Sequence, residues 1–387
     1  MLKIAIVGCG KVADQHVEAI RRIPACKIVA LSDCELLLAK QLGERFGIAA
    51  CFSELSEMLE AAHPDVVHIT TPPQSHYSLA KQCLESGINV YLEKPFTITA
   101  EEAESVVELA ERCGLKLTVG HNYQFTLEML EMRRLVKEGF LGGRPSHLES
   151  YWSYDLADLR YASAFLSNRA HWVRRLPGQL FQNIISHGIA KLTEFLDDEL
   201  VEIVATAHQS EQLRSLGAGE VLDELRVLIR DKSDTTAFFC FSTQVKRLNQ
   251  LHLYGPAGSL IADIITGSLV RSPNRLDKSY LTYFVPPLIS AREHFSNAKR
   301  NVTNFLRRRL YQDFGMKELI ERFYNSVRLG DEPPISYREI ILTARIMDEI
   351  FAQIYPAQER SSEIRNETPE PNVLDSFRLV VDSEHSR

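Results

Sequence analysis

The chain has few cysteines, and none of them is arranged as a metal-binding or disulfide framework. Its 387 residues include seven cysteines, widely spaced and without a Cys-x-x-Cys pair. This usage disfavours a structural zinc site and a set of disulfide bonds, and it favours reduced thiols in a cytoplasmic protein. We therefore expect no metal in the functional site.

Long apolar runs and an excess of positive charge are also absent. No apolar stretch reaches the ~18 residues that span a bilayer, and no leader-like segment stands ahead of the first strand. The formal net charge of −7 gives no general attraction for nucleic acid. With 45% hydrophobic and 25% charged residues, the composition is typical of a soluble enzyme with room for two domains.

The N-terminus contains a strand, a glycine turn and the start of a helix. An apolar run at 2–7 is typical of a parallel strand buried on both faces. The turn and the helix start are formed by Gly8, Cys9, Gly10, Lys11 and Val12. Such a turn lets the backbone approach a pyrophosphate at the helix N-terminus, with Ala13 as the small third residue of the pattern. An ordinary strand-to-helix turn remains the alternative.

An acidic residue about twenty-five positions later strengthens the dinucleotide interpretation. Asp33 ends a second apolar strand, where a carboxylate can bind the ribose hydroxyls and would repel a 2′-phosphate. No arginine lies next to it, so NAD is favoured over NADP. Asp33 could instead cap the helix that begins near Glu35.

Strands and helices alternate over the first 120 residues, which predicts a doubly wound parallel sheet of the α/β class. The six predicted strands are 2–7, 27–33, 49–52, 65–70, 89–92 and 115–119. In such a sheet ligands bind beyond the carboxyl ends of the strands. Three segments of unusual chemistry follow the last three strands: 70–76 (TTPPQSH), 93–96 (EKPF) and 120–125 (GHNYQF). Their common position at one sheet edge argues for a site there.

With these motifs, the sequence resembles the glucose–fructose oxidoreductase/inositol dehydrogenase (Gfo/Idh/MocA) family. The resemblance also rests on a second-half segment, 178–188 (GQLFQNIISHG), and covers 1–355. It implies an N-terminal Rossmann domain at 1–122 that binds NAD. It further implies an α+β domain at 123–355 with a large open, mostly antiparallel sheet and a last helix that packs back on the first domain. The acidic, Ser/Glu/Pro-rich composition of 356–387 predicts a mobile tail.

The resemblance also implies an activity and a set of roles. The activity is NAD(P)-dependent oxidation or reduction of a secondary hydroxyl on a sugar, nucleotide sugar or polyol, in a homodimer or homotetramer. Lys94 would hydrogen-bond the reacting hydroxyl, with a cis bond to Pro95, and His187 would accept the proton. The residues that would line the nicotinamide half of NAD are Thr71, Pro72, His76, Glu93, Lys94 and Asn122. For His76, entry into the following helix is the competing interpretation.

One position departs from the family pattern. Asn183 stands four residues before His187, where the family usually has Asp. Positions i and i+4 share a helix face, so both side chains are expected to converge on the substrate. Asn can orient the imidazole, but it adds no charge to stabilise the imidazolium; we therefore expect Asn183 to hydrogen-bond a substrate hydroxyl or acetamido group. Gln124, where relatives often have Arg, is a second departure.

Two further segments can each be interpreted as functional or as purely structural. The arginine-rich stretch 155–175 is interpreted as a substrate-facing loop for a phosphate or carboxylate group, or as a solvated loop. Its polar and aromatic residues are Arg160, Tyr161, Asn168, Arg169, His171, Trp172, Arg174 and Arg175. The basic amphipathic segment 292–309 is interpreted as a peripheral contact with a membrane or a phosphate group, or as an ordinary packed helix.

Two other functions stay open at this stage. On the same fold, a glycoside hydrolase could use tightly held NAD in a redox-neutral reaction, which would cleave its substrate without net change in the nicotinamide. A non-catalytic regulator that binds the nucleotide is the second alternative, and Asn183 is its only hint. The sugar and the direction of the reaction are not fixed by the sequence.

Overall fold

The computed structural model describes residues 1–155, 171–215, 221–274, 279–307 and 314–355. Most of the arginine-rich loop, the end of the basic segment and the predicted tail at 356–387 lie outside these residues. Within the described ranges, no helix combines the length and the apolar character needed to cross a membrane.

The first sheet has six parallel strands with helices between them. The strands are β1 (Leu2–Val7), β2 (Cys26–Ser32), β3 (Cys51–Phe52), β4 (Val66–Ile69), β5 (Asn89–Leu92) and β6 (Leu117–Val119). The helices are α1 (Lys11–Ile20), α2 (Leu36–Phe46), α3 (Leu55–Ala62), α4 (His76–Glu85) and α5 (Ala100–Cys113). The strand order β3-β2-β1-β4-β5-β6 confirms the predicted doubly wound sheet. The order reverses between β1 and β4, which is where such sheets bind ligands.

The second sheet has seven strands and is mostly antiparallel, as the resemblance predicts. Its strands are β7 (His147–Ser153), β8 (Leu200–His208), β9 (Glu224–Asp231), β10 (Thr236–Ser242), β11 (Asn249–Gly255), β12 (Gly258–Asp263) and β13 (Ser268–Pro273). The order is β13-β12-β11-β7-β10-β9-β8, and among the described residues only β7 and β10 pair in parallel. The other α-helices in the described ranges are α6 (Leu127–Lys137), α7 (Gln179–Ile184), α8 (Ser186–Thr193), α9 (Glu211–Ser215), α10 (Val285–Leu306), α11 (Phe314–Leu329) and α12 (Tyr337–Ile354).

The resemblance implies one continuous helix over 178–188, and the structure corrects this expectation, because the segment forms two helices. α7 ends at Ile184 and α8 begins at Ser186. At the junction, the amide of Gly188 bonds the carbonyl of Ile185, three residues back. Asn183 and His187 therefore lie on either side of a break rather than along one regular helix face.

The last two helices connect the two sheets. α12 packs on α8 and β8 and also on α5 of the first sheet, where Asp348 accepts a 2.7 Å hydrogen bond from the amide of Ala100. α11 belongs more fully to the first sheet. Its apolar face enters the same core as β1 through Met316, Leu319, Ile320, Phe323 and Tyr324. The division into two domains at residue 122 stays a prediction. α11 follows that residue in the sequence, but it packs with the first sheet.

Candidate active site

The glycine turn lies against the loop that follows β4. Gly8 has a φ of +90°, and a Cβ there would lie 2.7 Å from the backbone nitrogen of Thr71. Gly10 is different, because no described atom beyond its chain neighbours lies within 4 Å of the position its Cβ would take. Gly10 is also the N-cap of α1, and no side chain there caps the first amides of the helix. This open, amide-lined turn fits the pyrophosphate of a dinucleotide.

Asp33 is joined directly to this turn. Its carboxylate accepts a 2.7 Å hydrogen bond from the amide of Cys9 and a 2.9 Å bond from the amide of Glu35. A carboxylate has about four acceptor positions, so capacity remains for ribose hydroxyls. Asp33 therefore contacts the entry to α2 through the amide of Glu35, and it also lies beside the glycine turn through the amide of Cys9. Lys11 and Val12 lie exposed at the start of α1 on the same side.

His76 is buried beneath the loop that follows β4. The residue is fully buried, and its ring nitrogens lie 2.8 Å from the carbonyl of Thr71 and 3.0 Å from that of Pro95. It thus ties the loop after β4 to the loop after β5. Pro72 and Thr71, which are partly exposed, form the outer surface of the same loop.

Glu93 is the buried end of a series of hydrogen-bonded side chains that no sequence motif indicates. Its Oε1 lies 2.9 Å from Nε2 of His16, and Nδ1 of His16 lies 2.9 Å from Nδ1 of His68. The ring of His68 also stacks on Tyr91, with 4.5 Å between the ring centroids. Burial alone would raise the pKa of Glu93, but the hydrogen bond from His16 and the charge of Lys94 lower it overall. Glu93 is therefore an anion inside the sheet.

The glycine that begins the third motif makes room for this carboxylate. A Cβ at Gly120 would lie 2.6 Å from Oε1 of Glu93. His121 follows; its Nε2 is buried without a hydrogen-bond partner among the described residues, and burial lowers its pKa to about 3. Asn122 also has a buried Oδ1 without a partner in the described part of the chain. Unsatisfied polar atoms of this kind are typical of a site that contacts a ligand.

Lys94 crosses from the first sheet to the helix break. Its Nζ donates a 3.0 Å hydrogen bond to the backbone carbonyl of Asn183. In a continuous helix that carbonyl would accept from the amide of His187, so the break at Ile185 makes it available to Lys94. Burial lowers the pKa of Lys94, and the charge of Glu93 acts in the opposite direction. The Lys94–Pro95 bond is cis, as the resemblance predicts.

His187 packs against two aromatic side chains near Lys94. Its ring stacks on Trp152 at 5.4 Å and meets Tyr123 edge-on at 4.8 Å. Nδ1 is sealed from solvent and has no hydrogen-bond partner within the described ranges, while the whole residue keeps 9% exposure. Burial, together with the charges of Lys94, His121 and Lys191, lowers the pKa of His187 well below its usual value. The imidazole is therefore neutral at physiological pH.

A buried lysine one turn after His187 was not anticipated. Lys191 is fully buried; its Nζ donates a 2.7 Å bond to Oδ1 of Asn249 and lies 5.3 Å from the centre of the Trp152 ring. Burial lowers its pKa to about 7. Nothing local in the sequence marks it, since an i+4 lysine on an amphipathic helix is ordinarily solvated.

The sequence-predicted residues therefore form two neighbouring groups. One, at the junction of β1, β2 and β4, contains Gly8, Cys9, Gly10, Lys11, Val12, Asp33, Thr71 and Pro72. The other, between β5, β6 and the α7–α8 break, contains Glu93, Lys94, Asn122, Asn183 and His187. Of the arginine-rich stretch, residues 155 and 171–175 are described, and the carbonyl of Trp172 accepts a 3.1 Å bond from Gln74.

Known proteins share this fold. Residues 2–121 match the model of the oxidoreductase family with an NAD-binding Rossmann fold. D-apiose dehydrogenase of Paraburkholderia graminis is 24% identical over 357 residues, which cover 90% of this chain and 86% of that protein. Myo-inositol 2-dehydrogenase of Thermotoga maritima is 22% identical over 339 residues, covering 87% and 91%. The WlbA dehydrogenase of Bordetella pertussis, solved in complex with NADH and UDP-GlcNAcA, matches with a TM-score of 0.71 and 16% identity over 96% of this chain and 98% of that one.

Proposed function

Since the chain belongs to the Gfo/Idh/MocA family of NAD-binding oxidoreductases, we propose that it oxidises or reduces a secondary hydroxyl of a sugar, a nucleotide sugar or a polyol. One observation carries this proposal: Nζ of Lys94 lies 3.0 Å from the carbonyl oxygen of Asn183, next to a neutral His187. The substrates named for the apiose and inositol relatives support a polyhydroxylated compound. The UDP-GlcNAcA of the Bordetella protein supports including nucleotide sugars.

NAD supplies the hydride acceptor or donor when it is bound. For its pyrophosphate we assign the backbone of Gly8, Cys9, Gly10, Lys11 and Val12 at the open end of α1. Asp33 is assigned to the ribose hydroxyls, which a carboxylate favours over a 2′-phosphate. Thr71, Pro72, Glu93 and Asn122 are assigned to the nicotinamide side. His76, which is buried behind Thr71, holds that loop in place.

Lys94 is assigned to the reacting hydroxyl. An ammonium group that hydrogen-bonds an alcohol oxygen stabilises the alkoxide character that develops as the hydride leaves. The Asn183 carbonyl fixes the direction of Nζ, and the charge of Glu93 opposes the effect of burial on the pKa of Lys94. Glu93 is itself kept ionised by His16, so the cationic form of Lys94 has a fixed counter-charge.

His187 is assigned to the proton of that hydroxyl. Since Nδ1 is sealed from solvent, the residual exposure of the residue leaves Nε2 as the nitrogen that can exchange a proton with a substrate. A neutral imidazole is in the correct state to accept a proton. Burial and the neighbouring lysines, Lys94 and Lys191, oppose the imidazolium, and Asn183 offers no charge to offset them. We propose that the amide of Asn183 instead orients a substrate hydroxyl or acetamido group.

The testing experiment follows the nicotinamide absorbance of the full chain with NAD and a panel of inositols, pentoses, hexoses, uronic acids and UDP-sugars. We expect an NADH signal with at least one compound. The Lys94→Ala variant should lose about a hundredfold or more in kcat, the usual contribution of such a group, while binding NAD as the parent does. Lys81→Ala is the matched control, because Lys81 lies on an exposed helix face and pairs there with Glu85, its one ion-pair partner among the described residues.

A flat absorbance trace over the whole panel would contradict the proposal if NAD binding is intact. Cleavage of a glycoside without net nicotinamide change would then indicate the redox-neutral hydrolase. NAD binding with neither reaction, and no effect of Lys94→Ala, would indicate the regulator.

We also propose a cytoplasmic homodimer or homotetramer. All seven cysteines are unpaired, which suits a reducing compartment. The second sheet exposes apolar side chains such as Val204 and Leu228, which would be covered in an assembly. Light scattering of the purified protein measures the mass, and a monomer at working concentration would contradict this part of the proposal.

A further inference from the structure

α10 is attached to the protein by its polar side and turns its apolar side outward. The side chains it buries are Glu293 and Asn297. An amphipathic helix of a soluble protein ordinarily buries its apolar stripe and exposes its polar one. α10 reverses this arrangement, which requires an explanation.

The inner side of α10 makes a specific set of polar bonds to β13, the edge strand of the second sheet. Glu293 forms a two-point pair with Arg271, with both N–O distances at 2.8 Å. Asn297 bonds the carbonyl of Leu269 at 2.8 Å and its amide at 3.2 Å, which satisfies backbone groups that an edge strand would leave open. These bonds fix the rotation of α10 about its axis, so its outward face is also fixed.

The outward face carries a regular apolar stripe. Its members follow the 4,3 spacing of one helix side: Phe284, Leu288, Ala291, Phe295, Ala298, Val302 and Phe305. The large side chains among them are between 59% and 75% exposed. Tyr280 and Tyr283, in the turn before α10, are 68% and 79% exposed. A contiguous patch of this kind marks an interaction surface.

Positive charge borders the stripe. Arg292 and Lys299 lie one helical turn after Leu288 and Phe295, are exposed, and form no ion pair within the described residues. In the sequence, 285–309 contains six basic residues and one acidic residue, within a chain whose net charge is −7. The single acid, Glu293, is bonded to Arg271 on the opposite side. The exposed face of α10 is therefore apolar and cationic, in contrast to the protein as a whole.

We propose that this face of α10 binds an anionic lipid surface, with the stripe at the headgroup boundary and the cations on the headgroups. Aromatic and aliphatic side chains beside Lys and Arg are the pattern of helices that lie in the bilayer interface. A second copy of the chain fits less well, because pairing α10 with itself would bring the cations together without acids to neutralise them. This surface is independent of the dehydrogenase site, so the proposal does not depend on the substrate.

The test is co-sedimentation of the full chain with phosphatidylcholine vesicles and with vesicles that also contain phosphatidylglycerol. We expect binding to the anionic vesicles, weakened by added salt. Removing positive charge should lower the partition coefficient by roughly fivefold per charge, and so by roughly 25-fold for Arg292→Gln/Lys299→Gln. Phe295→Ser/Phe305→Ser should lower it by at least roughly tenfold.

The controls make the same chemical changes elsewhere on the surface. Leu329→Ser removes a side chain that is 72% exposed, and Lys27→Gln removes an exposed charge; neither lies on α10, and both should bind vesicles as the parent does. A chain ending at Tyr355 should also bind unchanged. The proposal is wrong if the parent stays in solution with both vesicle types, if the α10 variants bind as the parent does, or if removal of 356–387 abolishes binding. The proposal is equally wrong if the sole effect of Phe295→Ser/Phe305→Ser is to halve the mass of the protein in solution. In that case the outward face of α10 would join two copies of the chain.

Discussion

The phenol oxygen of Tyr324 lies 2.8 Å from Nε2 of His68, although 256 residues separate them in the sequence. One set of tautomers satisfies every contact that follows. Tyr324 donates to His68, His68 donates from Nδ1 to His16, and His16 donates from Nε2 to an ionised Glu93. A helix near the end of the chain thus helps to hold an anion beside the proposed catalytic lysine.

Tyr324→Phe should therefore destabilise the protein. The ring is fully buried and Phe can fill its place, but Nε2 of His68 would lose its donor inside the core. A buried polar atom left without a partner costs about 1–3 kcal/mol in the free energy of unfolding. Urea denaturation measures this, and Tyr280→Phe, at a residue that is 68% exposed, is the control. Equal stability of Tyr324→Phe and the parent would show that the hydrogen bond contributes nothing.

Asn183→Asp should move the pH dependence of the reaction. His187 must be neutral to accept a proton, so the oxidation rate is lost as the pH falls through its pKa. That pKa lies well below its usual value because of burial and neighbouring cations. A carboxylate nearby favours the imidazolium and raises the pKa, so the acid limb of kcat/KM should move to higher pH by roughly one unit or more.

The profile of kcat/KM between acid and neutral pH checks this shift. Asn183→Ser removes the amide without adding charge and is the matched control, which should leave the acid limb where it is. If the aspartate variant and the parent share one acid limb, position 183 has no electrostatic influence on the base.

Lys191→Met should change how stability depends on pH. Burial lowers the pKa of Lys191 to about 7 in the folded state, against 10.5 for the free side chain. Between these values the unfolded chain binds more protons than the folded one, so this lysine makes the free energy of unfolding rise with pH. The slope is at most about 1.4 kcal/mol per pH unit, and it should vanish in the Met variant.

Chemical denaturation of both proteins at pH 7 and at pH 9.5 measures that difference. The stability of Lys191→Met relative to the parent should be greatest at the lower pH and should decrease at the higher one. Met leaves Oδ1 of Asn249 without its donor, which changes stability at both pH values and does not affect the difference. A constant gap between the two proteins would mean that Lys191 is not titrating in this range.

Two glycines of one turn should respond differently to alanine. At Gly8 the φ of +90° and the 2.7 Å distance to the Thr71 backbone mean that a methyl group forces the turn apart, so Gly8→Ala should lower both stability and NAD affinity. At Gly10 a methyl group meets no protein atom. Gly10→Ala should therefore melt as the parent does and still lose NAD affinity, because the methyl group occupies space assigned to the pyrophosphate. Thermal melting and NAD titration on both variants separate the two effects, and normal NAD affinity in Gly10→Ala would contradict the assignment.

Elements with strong local signals could be predicted from the sequence to the residue. The sequence predicts a helix over 100–113 that is stopped by Gly114, and the structure has α5 at Ala100–Cys113. Thr99 caps its start by accepting from the amide of Glu102 at 3.2 Å, and Gly114 ends it with a φ of +66°. Capping depends on a few adjacent residues, so it is visible in the sequence.

Contacts between distant parts of the chain could not be predicted in this way. The sequence also predicts a helix over 314–329, and the structure has α11 at Phe314–Leu329, but the apolar stripe of this helix does not say which sheet it covers. His16 and His68 looked like ordinary residues of a helix and a strand, because only the sheet order brings them to Glu93. The break at Ile185 also depends on tertiary structure, since the Asn183 carbonyl gains Lys94 as a partner only after the two sheets are assembled.

The position of α11 has a consequence for the order in which the protein matures on the ribosome. The first sheet is complete in sequence once β6 has been made, but the core it shares with Leu319, Phe323 and Tyr324 is not. A nascent chain that has passed β6 therefore carries an uncovered apolar surface while residues 120–313, about half of the chain, are synthesised. Folding of the first sheet and its helices is expected to finish after translation reaches α11, and chaperones that hold apolar surfaces would protect the chain during that interval.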